Sequence, residues 1–273
     1  MSTTEPDYIQ LWQDLTTRGH GWFSSKFDRR DKAQAYDIAS QKKNLGRRDI
    51  LLDFVKQQLR PEDTAIDIGA GTGRWTIPLA GVISRVTAIE PSKAMSDILM
   101  YNAEKAGVAA KINLVSETWE NAVVEKHDVV ACFHAMYMSA DFKAFIHKIE
   151  SHARKYCYLG IRHFPIDGII QELGEKIHGN RHDSPNFIIA YNALYQMGIY
   201  ANVFMEDLQQ TWTDPTLEDA FARAKRHLNL VDDQSYDKLV RMTLERRLIF
   251  QDNVFRWPDS MSTALVWWKI DVK

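Results

Sequence analysis

Gly69, Gly71 and Gly73 alternate with Ala70 and Thr72 directly after an apolar run carrying a single acid, Ala65-Ile66-Asp67-Ile68. Glycine has no Cβ and tolerates positive φ, so such a loop lets main-chain N–H groups approach a ligand closely. The next apolar stretch, Arg85-Val-Thr-Ala-Ile, ends on Glu90. A strand, a glycine loop and an acid at the tip of the following strand form a nucleoside-binding arrangement, in which the acid accepts from both ribose hydroxyls. Histidines offer a second chemistry. His134 follows the run Asp128–Phe133, and His163 follows the run Tyr156–Ile161. An imidazole suits proton removal from an oxygen, thiol or amine near neutral pH. Tyr137 and Arg162 lie beside them and could orient a polar or anionic substrate. Each histidine also has a plain structural reading, as a hydrogen-bonded ring at the margin of the core.

These residues must be held by regular elements. The pattern predicts strands at 64–68, 85–90, 112–115, 128–133 and 156–161, with helices near 74–81, 92–106, 118–122 and 141–153. In the last of these helices Phe142, Phe145, Ile146 and Ile149 recur at i, i+3, i+4 and i+7, one apolar face for packing on a sheet. Alternation of this kind argues for an α/β fold with a parallel sheet covered on both faces. About sixty residues precede the first strand, with helical stripes at 8–16, 28–40 and 47–58, and Gly19-His20-Gly21 breaking the first pattern. After Gly160 the rhythm changes. A polar loop at 179–185, a helix at 186–197, a strand at 200–205 and two helices within 213–250 are expected before a last strand at 263–270. Asp214-Pro215 reads as an N-cap followed by proline at the first helical position.

Asp67-x-Gly69-x-Gly71-x-Gly73 followed by Glu90 resembles the motifs of class I S-adenosylmethionine (SAM)-dependent methyltransferases, and the likeness covers roughly residues 50–160. A dinucleotide fingerprint would need a third glycine at position 74, which is Arg74. The resemblance implies a three-layer α/β/α Rossmann-like sheet, mostly parallel with an antiparallel last strand. It implies SAM as methyl donor, S-adenosylhomocysteine (SAH) as product and no metal. Gly69, Ala70, Gly71 and Gly73 would pass under the methionine and ribose portions, and Asp67 would act near the amino group. Glu90 would bind the ribose, with Pro91 and Ser92 turning the chain after it. Glu117 would meet the adenine amino group, with Thr118 and Trp119 as pocket walls. Phe133 and the chain leaving the fourth strand would face the transferred methyl, where His134, Tyr137 and His163 are the catalytic candidates. Residues 1–60 would form a helical lid over a methyltransferase domain at 61–273, or helices packed on its sheet edge, with helices inserted around 162–200 and 206–262.

Several function classes lose support. There is no Asn/Asp-Pro-Pro-aromatic element for base amines and no Pro-Cys nucleophile for pyrimidine C5, so nucleic acid is disfavoured as acceptor. With 34 basic and 36 acidic side chains, no global field recruits a polyanion. His178 and His182 are four apart, but Gly179, Asn180, Ser184 and Pro185 around them argue for a substrate-side loop rather than a metal site. Lys42, Lys43, Arg47 and Arg48 read as a solvated helix face, and Trp267-Trp268 as core packing. Cys132 and Cys157 lie in apolar runs and read as reduced core thiols of a cytoplasmic protein. No signal peptide or bilayer span is expected. The reading is therefore methyl transfer to an O, N or S atom of a small molecule, with a homodimer left open. The alternatives are an RNA or protein methyltransferase, or a catalytically silent SAM-binding protein.

Overall fold

The computed structural model describes residues 6–19, 29–44, 48–164, 168–179, 181, 182, 184–206 and 210–270. The first strand, β1 (Thr64–Ile68), is apolar on both faces apart from Asp67, and all but Thr64 and Asp67 of its side chains are hydrophobic. A strand of that kind must be covered on both sides. It pairs in parallel with β2 (Arg85–Ile89) on one edge and β4 (His127–Phe133) on the other. The register sets Ile68 opposite both Ile89 and Cys132, so the carboxyl ends of three central strands finish level. With β3 (Ile112–Val115), β5 (Ala153–His163), β6 (Asn202–Met205) and β9 (Val254–Lys269), the order is β3-β2-β1-β4-β5-β9-β6. This is a seven-strand, mostly parallel sheet with one antiparallel strand. The chain leaves β1 toward β2 on one side and reaches β4 on the other, which puts the topological switch point at the glycine loop.

Helices cover the sheet as expected in kind, with shifted ends. α4 (Thr76–Ala80) and α5 (Lys93–Lys105) follow β1 and β2, and α6 (Phe142–His152) buries Phe142, Phe145, Ile146 and Ile149. Ser92 caps α5 by accepting from Met95 N, and Asp141 caps α6 by accepting from Ala144 N. Before the sheet run α1 (Tyr8–Gly19), α2 (Arg30–Asn44) and α3 (Ile50–Gln57), and Asp49 caps the last of these. Leu51 and Val55 of α3 join Ala65, Leu79, Val129 and Leu265 in the main core. Cys132 and Cys157 are buried free thiols. His20 and Gly21 of the glycine break and the side chains of Lys42, Lys43 and Arg47 lie outside the described residues; Arg48 pairs with Asp53 at 2.6 Å.

Three local expectations are corrected. The short helix at 118–122 is a turn, since only one helical step forms, from Ala122 N to Thr118 O. Asp214 does not cap a helix. It ends β7 (Gln210–Asp214), and α9 (Leu217–His227) is capped by Thr216, whose hydroxyl accepts from Asp219 N. The last strand is β9, far longer than 263–270, because its first half pairs with β7 and with β8 (Ile249–Gln251).

The chain divides into two compact units: Met1–Ile161 with Ile189–Phe204 and Ala264–Lys273, and Arg162–Ile188 with Met205–Thr263. The second unit has its own core, in which α7 (Ile169–His178), α9 and α10 (Asp237–Arg247) bury Leu173, Phe221 and Leu244 around Trp257. Asp214 is buried there, accepting from Arg223 Nε at 2.9 Å and from Trp257 Nε1 at 2.8 Å. Glu172 of α7 accepts from Lys176 at 2.6 Å and from Arg247 of α10 at 2.9 Å. Hydrogen bonds from Lys176 first, then Arg247 and Arg246, hold its carboxyl at about 2, below the ordinary 4.5. A depressed folded-state value stabilises the protein above the unfolded value, and that stabilisation is lost as pH falls from about 4.5 toward 2. Glu172→Gln is expected to cost about 1 kcal/mol at pH 7, a solvent-screened figure, and much less at pH 2. Urea unfolding of both proteins at the two pH values checks this.

Candidate active site

The glycine loop is shaped by its neighbours. Gly69 and Ala70 donate their N–H groups to Ile89 O at 2.8 and 3.1 Å, which folds the loop back over the end of β2. Gly69 has φ +71°, and a Cβ there would lie 2.1 Å from the Ala135 Cβ, so the loop presses on the chain leaving β4. Gly71, at φ +56°, is the reverse case: a Cβ there would meet nothing nearer than Gly69 O at 4.0 Å. The backbone is therefore packed from behind at 69 and open at 71. Glu90 is buried beside that opening, accepting from Gly71 N and from Ser92 N, each at 2.9 Å. Its own N–H goes to Val115 O at 3.1 Å, so the ends of β2 and β3 are tied together. Glycine backbone beside a buried carboxylate is the chemistry that a nucleoside site needs.

The other expected donor-site residues separate into two groups. Pro91 and Ser92 follow Glu90 as expected, and Glu117 and Thr118 are exposed at the exit from β3. Asp67 is buried, with its Oδ2 accepting from the Thr76 hydroxyl at 2.6 Å, which ties the end of β1 to α4. Its carboxyl is raised to about 6, by burial first and also by the Glu90 charge, with the Thr76 bond pulling against both. Phe133 and Trp119 are corrections. The Phe133 ring stacks on Trp75 at 3.5 Å and 4° within the core. Trp119 is buried against α6, donating to Phe145 O at 3.4 Å and meeting His152 edge-on. Position at a strand exit did not reveal which way either ring turns.

His134 and Tyr137 come together. His134 has φ +58°, a conformation that costs a non-glycine residue free energy and that clusters at functional positions. Its N–H donates to Gly160 O at 2.9 Å, and its Nδ1 lies 3.1 Å from the Tyr137 hydroxyl. Tyr137 in turn stacks on Trp12 of α1, with ring centroids 6.4 Å apart at 20°. Trp12 is fully buried, its Nε1 donates to Ser139 O at 2.9 Å, and its ring packs on Phe142. Sequence reasoning missed Trp12, since its helical spacing with Leu15 reads as ordinary core. It expected a helix near α2 but did not single out Asp37 or Asn102. Asn102 Nδ2 donates to both Asp37 Oδ1 and Thr72 O, at 3.1 and 3.2 Å, binding that helix to the glycine loop through α5. Arg74, the residue that broke the dinucleotide pattern, pairs with Asp49 at 3.1 Å.

His163 belongs to the second unit. Its Nδ1 lies 3.3 Å from Ser262 Oγ, its ring meets Phe187 edge-on, and burial lowers its pKa from the ordinary 6.5. His178 ends α7 and its Nε2 meets Leu228 O at 2.9 Å, so it is a helix-end contact rather than part of an open loop. Among the described residues no group of three His, Cys, Asp or Glu side chains is placed to hold a metal, and no helix is long and apolar enough to cross a membrane.

Comparison with known proteins agrees with this geometry. Residues 65–155 match the methyltransferase domain family model. The chain is 26% identical over 220 residues to an uncharacterized protein of Haemophilus influenzae, a match spanning 78% of each. A shorter match, 33% identical over 69 residues, covers 24% of this chain and 18% of a mitochondrial ribosomal RNA small subunit methyltransferase of Arabidopsis thaliana. Among solved structures, a candidate methyltransferase from Bacillus halodurans superposes with a TM-score of 0.56 at 12% identity, over 81% of this chain and 99% of that one. The YcgJ protein of Bacillus subtilis gives 0.53 at 16%, over 81% and 98%. The fold is the mostly parallel, Rossmann-like sheet of these solved structures, and the segment carrying β1 to β4 and α6 is the part similar to the methyltransferase domain family.

Proposed function

We propose that this protein transfers the methyl group of SAM to an O, N or S atom of a small molecule. The observation that carries the reading is the buried Glu90 carboxylate gripping Gly71 N beside the one position of the loop where a Cβ would meet open space. Gly69, Gly71 and Glu90 would hold the donor's ribose side, with Glu117 and Thr118 toward its adenine. SAM supplies an electrophilic methyl on a sulfonium, so the protein's share of the catalysis is chiefly positioning. His134, braced by Tyr137, is suited to take the proton that an oxygen, thiol or amine acceptor gives up. Trp12 and α2 bring the N-terminal helices against both halves of this site, which supports their role as a lid. Reduced buried thiols favour a cytoplasmic setting.

A small acceptor is favoured over RNA by the charge pattern of the second unit. Five of its arginines are engaged with carboxylates: Arg223 with Asp214, Arg241 with Glu218, Arg256 with Asp252, and Arg246 and Arg247 with Glu172. Cations already paired with carboxylates release few counterions from a phosphate backbone. The local likeness to a ribosomal RNA enzyme covers too little of either chain to outweigh this.

Titration calorimetry tests the donor reading. SAM and SAH are expected to bind, and Glu90→Ala to weaken SAH by about 1–3 kcal/mol, because ribose hydroxyls and loop N–H groups lose their acceptor. Parent protein that shows no binding of either ligand would overturn the proposal; a Glu90→Ala variant that binds as the parent does would remove the ribose assignment alone. Screening acceptors for SAH release, with total RNA in parallel, separates the two acceptor classes.

A further inference from the structure

The chain between β3 and β4 has no regular structure, yet it carries Glu117 and Thr118, which the donor reading sets against the adenine. It is held by one side chain from α6. The Lys148 ammonium donates to three main-chain carbonyls at once, Trp119 O at 2.6 Å, Ala122 O at 2.8 Å and Glu120 O at 3.0 Å. The same ammonium lies 4.8 Å from the centroid of the Trp119 ring, whose indole N–H is fixed on Phe145 O. On the other side of the turn, Thr118 O accepts from both Asn121 N and Ala122 N, at 3.2 and 2.9 Å. Carbonyls that a continuing helix would have used for its next turn thus converge on a cation instead. Four carbonyls of residues 118–122 and the N–H groups of Asn121 and Ala122 are thus engaged, and the exposed Glu117 directly precedes this turn.

We infer that Lys148 is a positioning residue for adenine recognition, locking the Thr118–Ala122 turn so that the Glu117 carboxylate is presented to the exocyclic amine. The inference rests on the SAM reading above and adds to it a residue remote from the ligand. A carboxylate accepts from the N6 amino group of adenine but faces a carbonyl oxygen in hypoxanthine, so a fixed Glu117 discriminates the two bases. A mobile Glu117 can swing into solvent and does not. Loss of Lys148 therefore removes selectivity more than it removes affinity, which a purely structural lysine would not do.

The test compares SAH with S-inosylhomocysteine by calorimetry. Parent protein is expected to prefer SAH by roughly tenfold or more, and Glu117→Gln to lose most of that preference. Lys148→Met is expected to bring the ratio to within about threefold although the carboxylate is intact. Equal weakening of both ligands by Lys148→Met, or a parent that binds SAH without preference, would overturn the inference. Parent protein that binds neither ligand instead sinks the donor reading itself. A second measurement needs no variant. Amide exchange in the free parent is expected to show Asn121 and Ala122 protected, and rapid exchange at both would mean that the turn is not preformed, overturning the inference equally.

Discussion

Gly69→Ala is expected to destabilise the protein by about 4 kcal/mol, and Gly71→Ala by no more than about 1–2 kcal/mol. Both residues sit at positive φ, so both variants carry the backbone strain of a side chain in the left-handed region. They differ in what the new methyl meets. At 69 it would lie 2.1 Å from Ala135 Cβ, an overlap that the short, stiff neighbour cannot relieve by rotating. Either the loop lifts away from β4 or the chain leaving β4 is driven back, and overpacking of this sort costs about 1–3 kcal/mol beyond the strain. For a chain of this size the thermal midpoint should fall by about 8–16 °C. Ala135 directly follows His134 and precedes the Met136–Met138 turn that carries Tyr137, so the same variant should disturb the candidate catalytic pair. At 71 the methyl would meet nothing nearer than Gly69 O at 4.0 Å, on the side where the proposed function sets the donor, so Gly71→Ala should keep most of the stability and lose SAH affinity. Differential scanning fluorimetry with and without SAH distinguishes the two outcomes. Equal midpoints for the two variants would mean that the contact with Ala135 does not exist.

The glycine loop and the strand ends around it were legible because they depend on local chemistry. Gly69, Gly71 and Gly73 announce a tight loop whatever surrounds them, and the apolar run before them can only be a buried strand. Glu90 was found because strand spacing alone brings it to the rim. What the sequence could not carry was side-chain direction and distant pairing. Phe133 and Trp119 sit at the expected strand exits, but their rings turn to Trp75 and to α6, and nothing in residue order encodes that choice. Asp214 before Pro215 has the form of a cap, but its buried carboxylate is claimed by Arg223 and by Trp257, forty-three positions away. Thr216 caps the helix in its place. Residues 118–122 have the composition for a short helix. A single helical step is a costly nucleus unless further turns follow, and Lys148 takes the carbonyls those turns would need. Trp12 is the converse case. It was visible as a core residue, and it is one, but the core it completes backs the candidate catalytic pair.

Replacing His134 by asparagine is expected to lower turnover by about 10²–10⁴-fold while leaving SAH affinity nearly unchanged. Asparagine is the suitable probe because the position has φ +58° and asparagine tolerates the left-handed region far better than alanine does. The backbone bond from position 134 to Gly160 O should survive, so the measured loss reports on the imidazole. The Tyr137 hydroxyl, 3.1 Å from Nδ1, fixes the ring so that Nε2 is the nitrogen left for the acceptor. Tyr137→Phe should therefore lower turnover by a smaller factor than His134→Asn, and the double variant should fall no further than His134→Asn alone, since the two act as one unit. His134→Gly makes the complementary point. It removes the strain along with the imidazole and should raise stability by about 1 kcal/mol while abolishing the same activity, a sign that the strained backbone is retained for the placement of this ring. Turnover of His134→Asn equal to the parent's, with an acceptor that must lose a proton, would remove the imidazole from the chemistry and leave methyl transfer to positioning alone.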